Sequence, residues 1–201
     1  MTLVEDIVVK RLGRTPYGEA LQAMRAFTRG RDAGTADEIW LTEHEPVYTL
    51  GQGAGERAVP NGIPLLRSDR GGDITYHGPG QVVLYALVDL VRRGIKVKRW
   101  VWLLEQAVID LVDRGAERKP GAPGVYVDGA KIAALGIRVV RGRAYHGLSL
   151  NVDMDLAPFG AIDPCGYPGL KVTQLRDLGF SGSADQIALR LSEILVEKLD
   201  A

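Results

Sequence analysis

Apolar positions recur along the chain with two different periods. "DIVVKRL" (6–12), "EIWLTEH" (38–44) and "PVYTLG" (46–51) are short runs rich in β-branched and aromatic residues and predict strands, with a break at Glu45-Pro46. "QVVLYALVDL" (81–90) is nearly continuously apolar, as expected of a central strand covered on both faces. "GVYVDGAKIAALGIRVV" (124–140) reads as strand, Asp-Gly turn, strand, and "AYHGLSLNVDMDL" (144–156) continues the sheet. Helical spacing begins with Tyr17, Leu21, Met24 and Phe27, where Thr15 is the expected N-cap and Pro16 the first helical residue. From Trp100 to Arg114, Val101, Leu104, Val108 and Leu111 predict one buried helix face, ended by Gly115. Ser183 and Gln186 form a capping box for a last helix with Ile187, Leu191 and Ile194 on its core side. Most connections are too short for parallel crossovers. The pattern therefore predicts an α+β fold, a mixed, mainly antiparallel sheet with flanking helices.

Composition narrows the setting. A chain of 201 residues can bury a full core, and we expect residues 1–201 to form a single domain. A formal net charge of +0 gives no general attraction to nucleic acid or to an anionic membrane. The one cysteine excludes an internal disulfide and a cysteine-rich zinc cluster, and it fits a reducing, cytoplasmic setting. "MTLVEDIVVKRLG" carries acidic residues and lacks a signal-peptide apolar core, and no stretch approaches the roughly 20 apolar residues of a membrane span.

Four features carry candidate chemistry. "SDRGGDITYHGPGQ" (68–81) mixes glycines with Arg70, Thr75, Tyr76 and His77; it is neither a Walker A loop nor a GxGxxG fingerprint, and reads either as a turn between strands or as a ligand loop. Lys131 follows the Asp-Gly turn; alone it reads best as an edge-strand lysine, the alternative being a partly desolvated amine that exchanges protons. Cys165 lies in "AIDPCGYPG" (161–169), outside any apolar run, either an inert loop thiol or a nucleophile with His77 or His146 as a base beside it. No metal-ligand spacing joins the three histidines. The basic run "RRGIKVKR" (92–99), with Arg92, Arg93, Lys96, Lys98 and Arg99, is a solvated face or a docking patch for an acidic protein.

Taken together, "RGGDITYHGPGQ", "GAKIAALGIRV", "HGLSLNVDMDL" and "IDPCGYPG" resemble, in order, the motifs of the octanoyltransferases of lipoate biosynthesis, and "EIWLTEHEPVYTLGQGA" resembles that family's N-terminal motif, with Glu45 where proline is common. The resemblance spans about residues 38–175. It implies a fold like the catalytic domains of biotin and lipoate protein ligases and needs no cofactor. It implies transfer of an octanoyl group from octanoyl-acyl carrier protein to a lysine of lipoyl domains, those of 2-oxoacid dehydrogenases and the glycine-cleavage H protein. By the same resemblance Cys165 is the acyl-thioester nucleophile and Lys131 its partner. Substrate-binding roles fall on Arg70, Gly71, Gly72, Asp73, Ile74, Thr75, Tyr76 and His77, on Ala134, Leu135 and Gly136, and on Gly147, Leu148 and Ser149.

The chemistry agrees. A thiolate exchanges with a thioester at little thermodynamic cost, and a cysteine of ordinary pKa, about 8.5, needs a base to supply that thiolate. A lysine able to take and return protons would serve both halves of a ping-pong transfer. Two rivals predict different behaviour: an ATP-dependent lipoate–protein ligase, whose glycine-rich motif continues differently from "HGPGQ", and a non-catalytic module that binds a carrier through "RRGIKVKR".

Overall fold

The computed structural model describes residues 7–56, 59, 62–162 and 169–200. Strand β1 (Val8–Arg14) leads into helix α1 (Tyr17–Gly30), followed by β2 (Glu38–Glu43), β3 (Val47–Leu50), β4 (Leu65–Arg67), β5 (Ile74–His77) and β6 (Gln81–Asp89). Helix α2 (Val97–Val112) precedes β7 (Glu117–Lys119), β8 (Ala122–Val127), β9 (Ala130–Val140) and β10 (Arg143–Asn151), and helix α3 (Ala184–Asp200) closes the described fold. One sheet runs β1-β2-β6-β10-β9-β8-β7, and a second runs β4-β3-β5. Only β1 with β2 and β3 with β4 pair in parallel among these neighbours. The mainly antiparallel architecture is the one expected.

Side-chain alternation along β6 explains its unbroken apolar run. Val82, Leu84, Ala86 and Val88 pack with α2 and α3, while Val83, Tyr85 and Leu87 pack with Tyr17, Leu21 and Met24 of α1. The strand has helices on both sides and can expose neither face. Two helical details differ from expectation. Pro16 occupies the N-cap of α1, and the Thr15 hydroxyl instead bonds the Thr42 hydroxyl on β2. On α2 the buried face is Trp100, Leu103, Leu104, Ala107, Val108 and Val112, which leaves Val101 and Leu111 at its rim. The Ser183–Gln186 capping box forms as read, each backbone N–H bonded to the other's side chain. The Asp128-Gly129 turn has both residues at positive φ, as a tight β8–β9 hairpin needs. No helix among the described residues is long and apolar enough to cross a membrane.

One buried ionic cluster joins distant parts of the chain. Asp37, fully buried, accepts hydrogen bonds from Arg31 after α1 and from Arg92 (2.8 Å) and Arg93 after β6, and from the Asp89 backbone N–H (2.8 Å). Two of the five charges expected to dock a partner, Arg92 and Arg93, are therefore committed to the interior. Lys96, Lys98 and Arg99 stay exposed, with the Arg99 guanidinium 4.1 Å over the Trp102 ring. Burial pushes the Asp37 carboxyl up, but the bonds from Arg93, the Asp89 N–H and Arg31 outweigh it and hold it below the ordinary value of 3.8. That stability is present above pH 3.8 and is lost as pH falls through the folded-state value. Asp37→Ala leaves the buried Arg31 without its counter-ion and is expected to cost about 3–5 kcal/mol in chemical denaturation at neutral pH.

Candidate functional site

The glycine-rich segment is stitched to the main sheet. The Gly71 N–H donates to Ile137 O on β9 (2.9 Å), and the Gly53 N–H donates to Gly72 O (2.9 Å). Gly72 takes φ 83, open chiefly to glycine. Arg70 is buried and spends its guanidinium on Thr49, donating from Nε to Oγ1 at 3.2 Å, and on Gly71 O at 3.0 Å. Beyond this loop, β5 alternates. Ile74 and Tyr76 join Tyr48 and Phe159 in an apolar cluster, whereas Thr75 and His77 face a cavity.

Three separated motifs line that cavity. Arg70, Gly72, Asp73, Thr75 and His77 meet Ala134, Leu135 and Gly136 of β9 and Gly147, Leu148 and Ser149 of β10. Of the residues expected to bind substrate, Gly71, Ile74 and Tyr76 lie outside its lining. The floor follows from register: Gly136 opposes Gly147, which opposes Tyr85 on β6, and Ala134 opposes Ser149, which opposes Val83. Two side-chain-free positions side by side let the Arg70–Gly71 segment and the Leu84 backbone approach closely beside the cavity. A Cβ on Gly136 would lie 3.0 Å from Arg70 Cδ, and one on Gly147 would lie 2.2 Å from Leu84 O. Tyr17, Val83, Tyr85 and His146 complete the wall and were not read as substrate-binding. The odd positions of the central strand were the available signal for Val83 and Tyr85.

The histidines and tyrosines of the wall are tied into hydrogen-bonded pairs. The stacked rings of Tyr17 and His77 lie 5.8 Å apart, and His77 Nδ1–H donates to Gln81 Oε1 (2.7 Å). Gln81 in turn donates to Tyr76 O and Asn151 Oδ1, which fixes its orientation. His44 donates from Nδ1 to Thr15 O and accepts at Nε2 from the Tyr85 hydroxyl, both at 2.7 Å. Burial, helped by repulsion from His44, pushes His77 down to about 3. Burial also lowers His44 and His146 and raises the Tyr85 hydroxyl well above its ordinary value.

His146 sits at φ 61 inside β10. Consecutive strand residues normally face opposite sides, yet Tyr145 Oη (2.7 Å) and His146 Nε2 (2.8 Å) both donate to Asp69. The left-handed φ turns the histidine ring to the side of its neighbour, and the two rings stack at 4.9 Å. Burial raises the Asp69 carboxyl, but bonds from His146, Tyr145 and Arg25 prevail and hold it well below the ordinary value.

Lys131 is buried on an interior strand, between β8 and β10, so it is not an edge-strand lysine. A register shift between Val125 and Tyr126 interrupts the β8–β9 ladder beside it, and such bulges re-aim side chains. Its ammonium donates to Pro123 O (3.1 Å) and lies 5.3 Å from the centre of the Tyr126 ring. Its backbone pairs with the chain beyond the Pro-Cys-Gly motif: the Lys131 N–H donates to Lys171 O (2.8 Å), and the Thr173 N–H donates to Lys131 O (3.0 Å). Cys165 lies outside the described residues. His146 opposes Ile137, six residues along β9 from Lys131, or about 20 Å of strand, so the structure does not bring this histidine to the amine. Among the described residues no group of three or more His, Cys, Asp or Glu side chains is arranged to hold a metal ion.

This sheet, with its cavity over one face, is the fold of the protein-ligase catalytic domains that attach lipoate or biotin. The solved structure of lipoate-protein ligase A bound with ATP superposes with a TM-score of 0.77 at 18% identity, covering 97% of this chain and 86% of that one. The biotin protein ligase from Aquifex aeolicus, in complex with biotin and ATP, gives 0.56 at 11% identity, covering 97% and 70%. Residues 16–195 match the lipoyl protein ligase A/B catalytic domain family, and the chain belongs to that family. A curated relative from Thiobacillus denitrificans, named octanoyltransferase, is 60% identical over 94% of this chain and 89% of its own length.

The three buried histidines set a pH dependence. Each has a folded-state value below the ordinary 6.5, so the unfolded chain binds more protons below that pH. Stability is complete above pH 6.5 and declines as pH falls toward about 3, the value for His77. Denaturation midpoints from pH 8 to 4 should fall below pH 6.5, before carboxylate protonation contributes, and the His77 ring signals in NMR should not titrate between pH 8 and 5.

Proposed function

We propose that this chain transfers an octanoyl group from octanoyl-acyl carrier protein to a lysine of a lipoyl domain, by way of an acyl thioester on Cys165 with Lys131 as proton carrier. The observation that carries the activity is the 60% identity, over almost the whole chain, to a protein named octanoyltransferase. Support for the mechanism comes from the tie between Lys131 and the strand segment at Lys171 and Thr173, six to eight residues after Cys165. Residues 1–201 act as one catalytic unit, and a free nucleophilic thiol suits the cytoplasm.

In the first half-reaction Lys131 starts as its neutral amine, and Cys165 Sγ attacks the thioester carbonyl as its proton passes to Lys131 Nζ and makes the ammonium. The tetrahedral adduct expels the carrier thiolate, which takes that proton back from the ammonium. In the second half the acceptor lysine, an ammonium of ordinary pKa near 10.4, must release a proton to solvent before its amine attacks the acyl-Cys165 carbonyl. Lys131 accepts the amine's proton and returns one to the departing Cys165 sulfur. The acyl chain is assigned to the cavity bordered by Val83, Leu135 and Leu148, whose free space of about 40 Å³ must widen to hold it. The energy of the donor thioester is conserved in the intermediate, so the cycle consumes no ATP, unlike the acid-activating chemistry of a ligase.

Intact mass spectrometry after mixing with octanoyl-carrier protein should show one octanoyl gain, removed by hydroxylamine and absent from Cys165→Ala. Acylation of Cys165→Ala, or a requirement for ATP, would refute the reading. In single-turnover transfer from acyl-Cys165 to a lipoyl domain, Lys131→Met and Lys131→Arg should both lose about 10²–10⁴-fold, because arginine stays protonated and only mimics the charge. Near-wild-type transfer by Lys131→Arg would show that Lys131 is not the base.

The cavity assignment has its own test. Gly136→Val places a branched side chain against Arg70 Cδ and Gly71 O, each 3.0 Å from its Cβ. Acylation by an octanoyl thioester should fall at least about tenfold more than acylation by a butyryl thioester, since the longer chain buries more methylenes there. Equal losses on the two donors would place the chain elsewhere.

A further inference from the structure

Glu105 is out of character for its place on α2. It is buried on the core side of the helix, beside Leu104 and Val108. A carboxylate there carries a desolvation cost that an apolar side chain would avoid. Its two oxygens are used differently. Oε2 accepts from Arg118 Nε (3.0 Å), and Arg118 is itself held by Trp102 O (3.0 Å) and Gln106 Oε1 (2.8 Å). Oε1 accepts from the backbone N–H of Gly124 (3.0 Å).

That N–H belongs to the same peptide group as the Pro123 carbonyl, which receives the Lys131 ammonium at 3.1 Å. An anion thus sits at the donor end of one peptide unit and a cation at its acceptor end. Both charges act along the peptide dipole in the same sense, so each bond strengthens the other. Gly124 has φ 137, a conformation open chiefly to glycine, and its missing Cβ makes room for the lysine. A Cβ there would fall 2.8 Å from Lys131 Cε and 2.7 Å from Ala133 O.

We propose that Glu105 is a positioning residue for the transfer reaction: through the Pro123–Gly124 peptide group it holds the carbonyl that aims the Lys131 ammonium. The proposal rests on the assignment of Lys131 as proton carrier. Glu105 touches neither substrate nor the reacting atoms in this scheme. Its effect therefore belongs on the chemical steps and not on donor affinity, and it exists only while Lys131 is present.

The test is a double-mutant cycle in single-turnover transfer from octanoyl-Cys165 to a lipoyl domain, using Glu105→Ala, Lys131→Met and the double variant. Glu105→Ala should slow transfer roughly 10- to 100-fold, the scale of a misplaced catalytic group, with the KM for octanoyl-carrier protein unchanged within about twofold. In the Lys131→Met background the same substitution should cost nothing further. Glu105→Gln keeps an oxygen for the Gly124 N–H and should recover to within roughly fivefold of wild type; this variant carries the test if Glu105→Ala fails to fold. An equal loss from Glu105→Ala or Glu105→Gln with and without Lys131, or wild-type rates for both Glu105 variants beside a crippled Lys131→Met, would overturn the proposal alone. A fully active Lys131→Met would overturn the assignment of Lys131 and this proposal with it.

Discussion

The site depends on the absence of side chains at one place in the sheet. Gly136 and Gly147 face each other across β9 and β10, at the level where Tyr85 and Trp40 fill the same face of β6 and β2. On the α1 side, the layer that Tyr85 and Trp40 fill over β6 and β2 is occupied at Gly136 by the Arg70–Gly71 segment, with a small cavity beside it. The second sheet and the loop at residues 70–73 roof this hollow because Gly71 can hydrogen-bond directly to the β9 backbone. A side chain on either floor glycine meets fixed backbone or the buried Arg70. Close packing elsewhere in the core is what gives a local gap its shape.

Such a hollow needs a rigid frame, and much of the frame is polar. Arg70, His44, His77, Gln81 and Asp69 are buried or half-buried and each is hydrogen-bonded: Arg70 to Thr49 and Gly71 O, His44 to Thr15 O and the Tyr85 hydroxyl, His77 to Gln81, Gln81 also to Asn151, and Asp69 to Arg25, Tyr145 and His146. Apolar residues of similar volume would be cheaper to bury, but they would not fix ring orientations or turn His146 against the pleat of its strand. The ionic knot at Asp37 does the corresponding work at the other end of β6, where α1, β2 and the lead into α2 converge.

What the sequence made legible follows from how local each signal is. Strand and helix identities came from periodicity and turn chemistry, and the Asp128-Gly129 hairpin and the Ser183 capping box are short-range events that one stretch of chain decides. The cavity came largely from motifs, because three segments that meet in space each carry glycines. Long-range pairing was not legible. Lys131 read as an edge residue because nothing in "GAKIAALGI" reveals that β8 flanks it on one side and the segment at Lys171–Thr173 on the other. "RRGIKVKR" read as a surface patch because the partner of Arg92 and Arg93, Asp37, lies some 55 residues away. Ile74 and Tyr76 shared a motif with Thr75 and His77, but strand alternation assigns them to the opposite face.

The location of Lys131 also bears on how a reactive pair can be kept in register. A side chain on a sheet edge would depend on its own rotamers for its position. Here the lysine's amide and carbonyl are both paired with the segment at Lys171 and Thr173, and its ammonium is bonded to Pro123 O on the neighbouring strand β8. The chain that carries the Pro-Cys-Gly motif thus rejoins the described fold on the backbone of the residue proposed to serve that motif. The position of Lys131 is then set first by main-chain hydrogen bonds, which no side-chain substitution removes, and only afterwards by contacts that a mutation can change. A fold shared with lipoate and biotin protein ligases can in this way suit the proposed thioester chemistry, since the sheet supplies the cavity and holds the Lys131 amine in place.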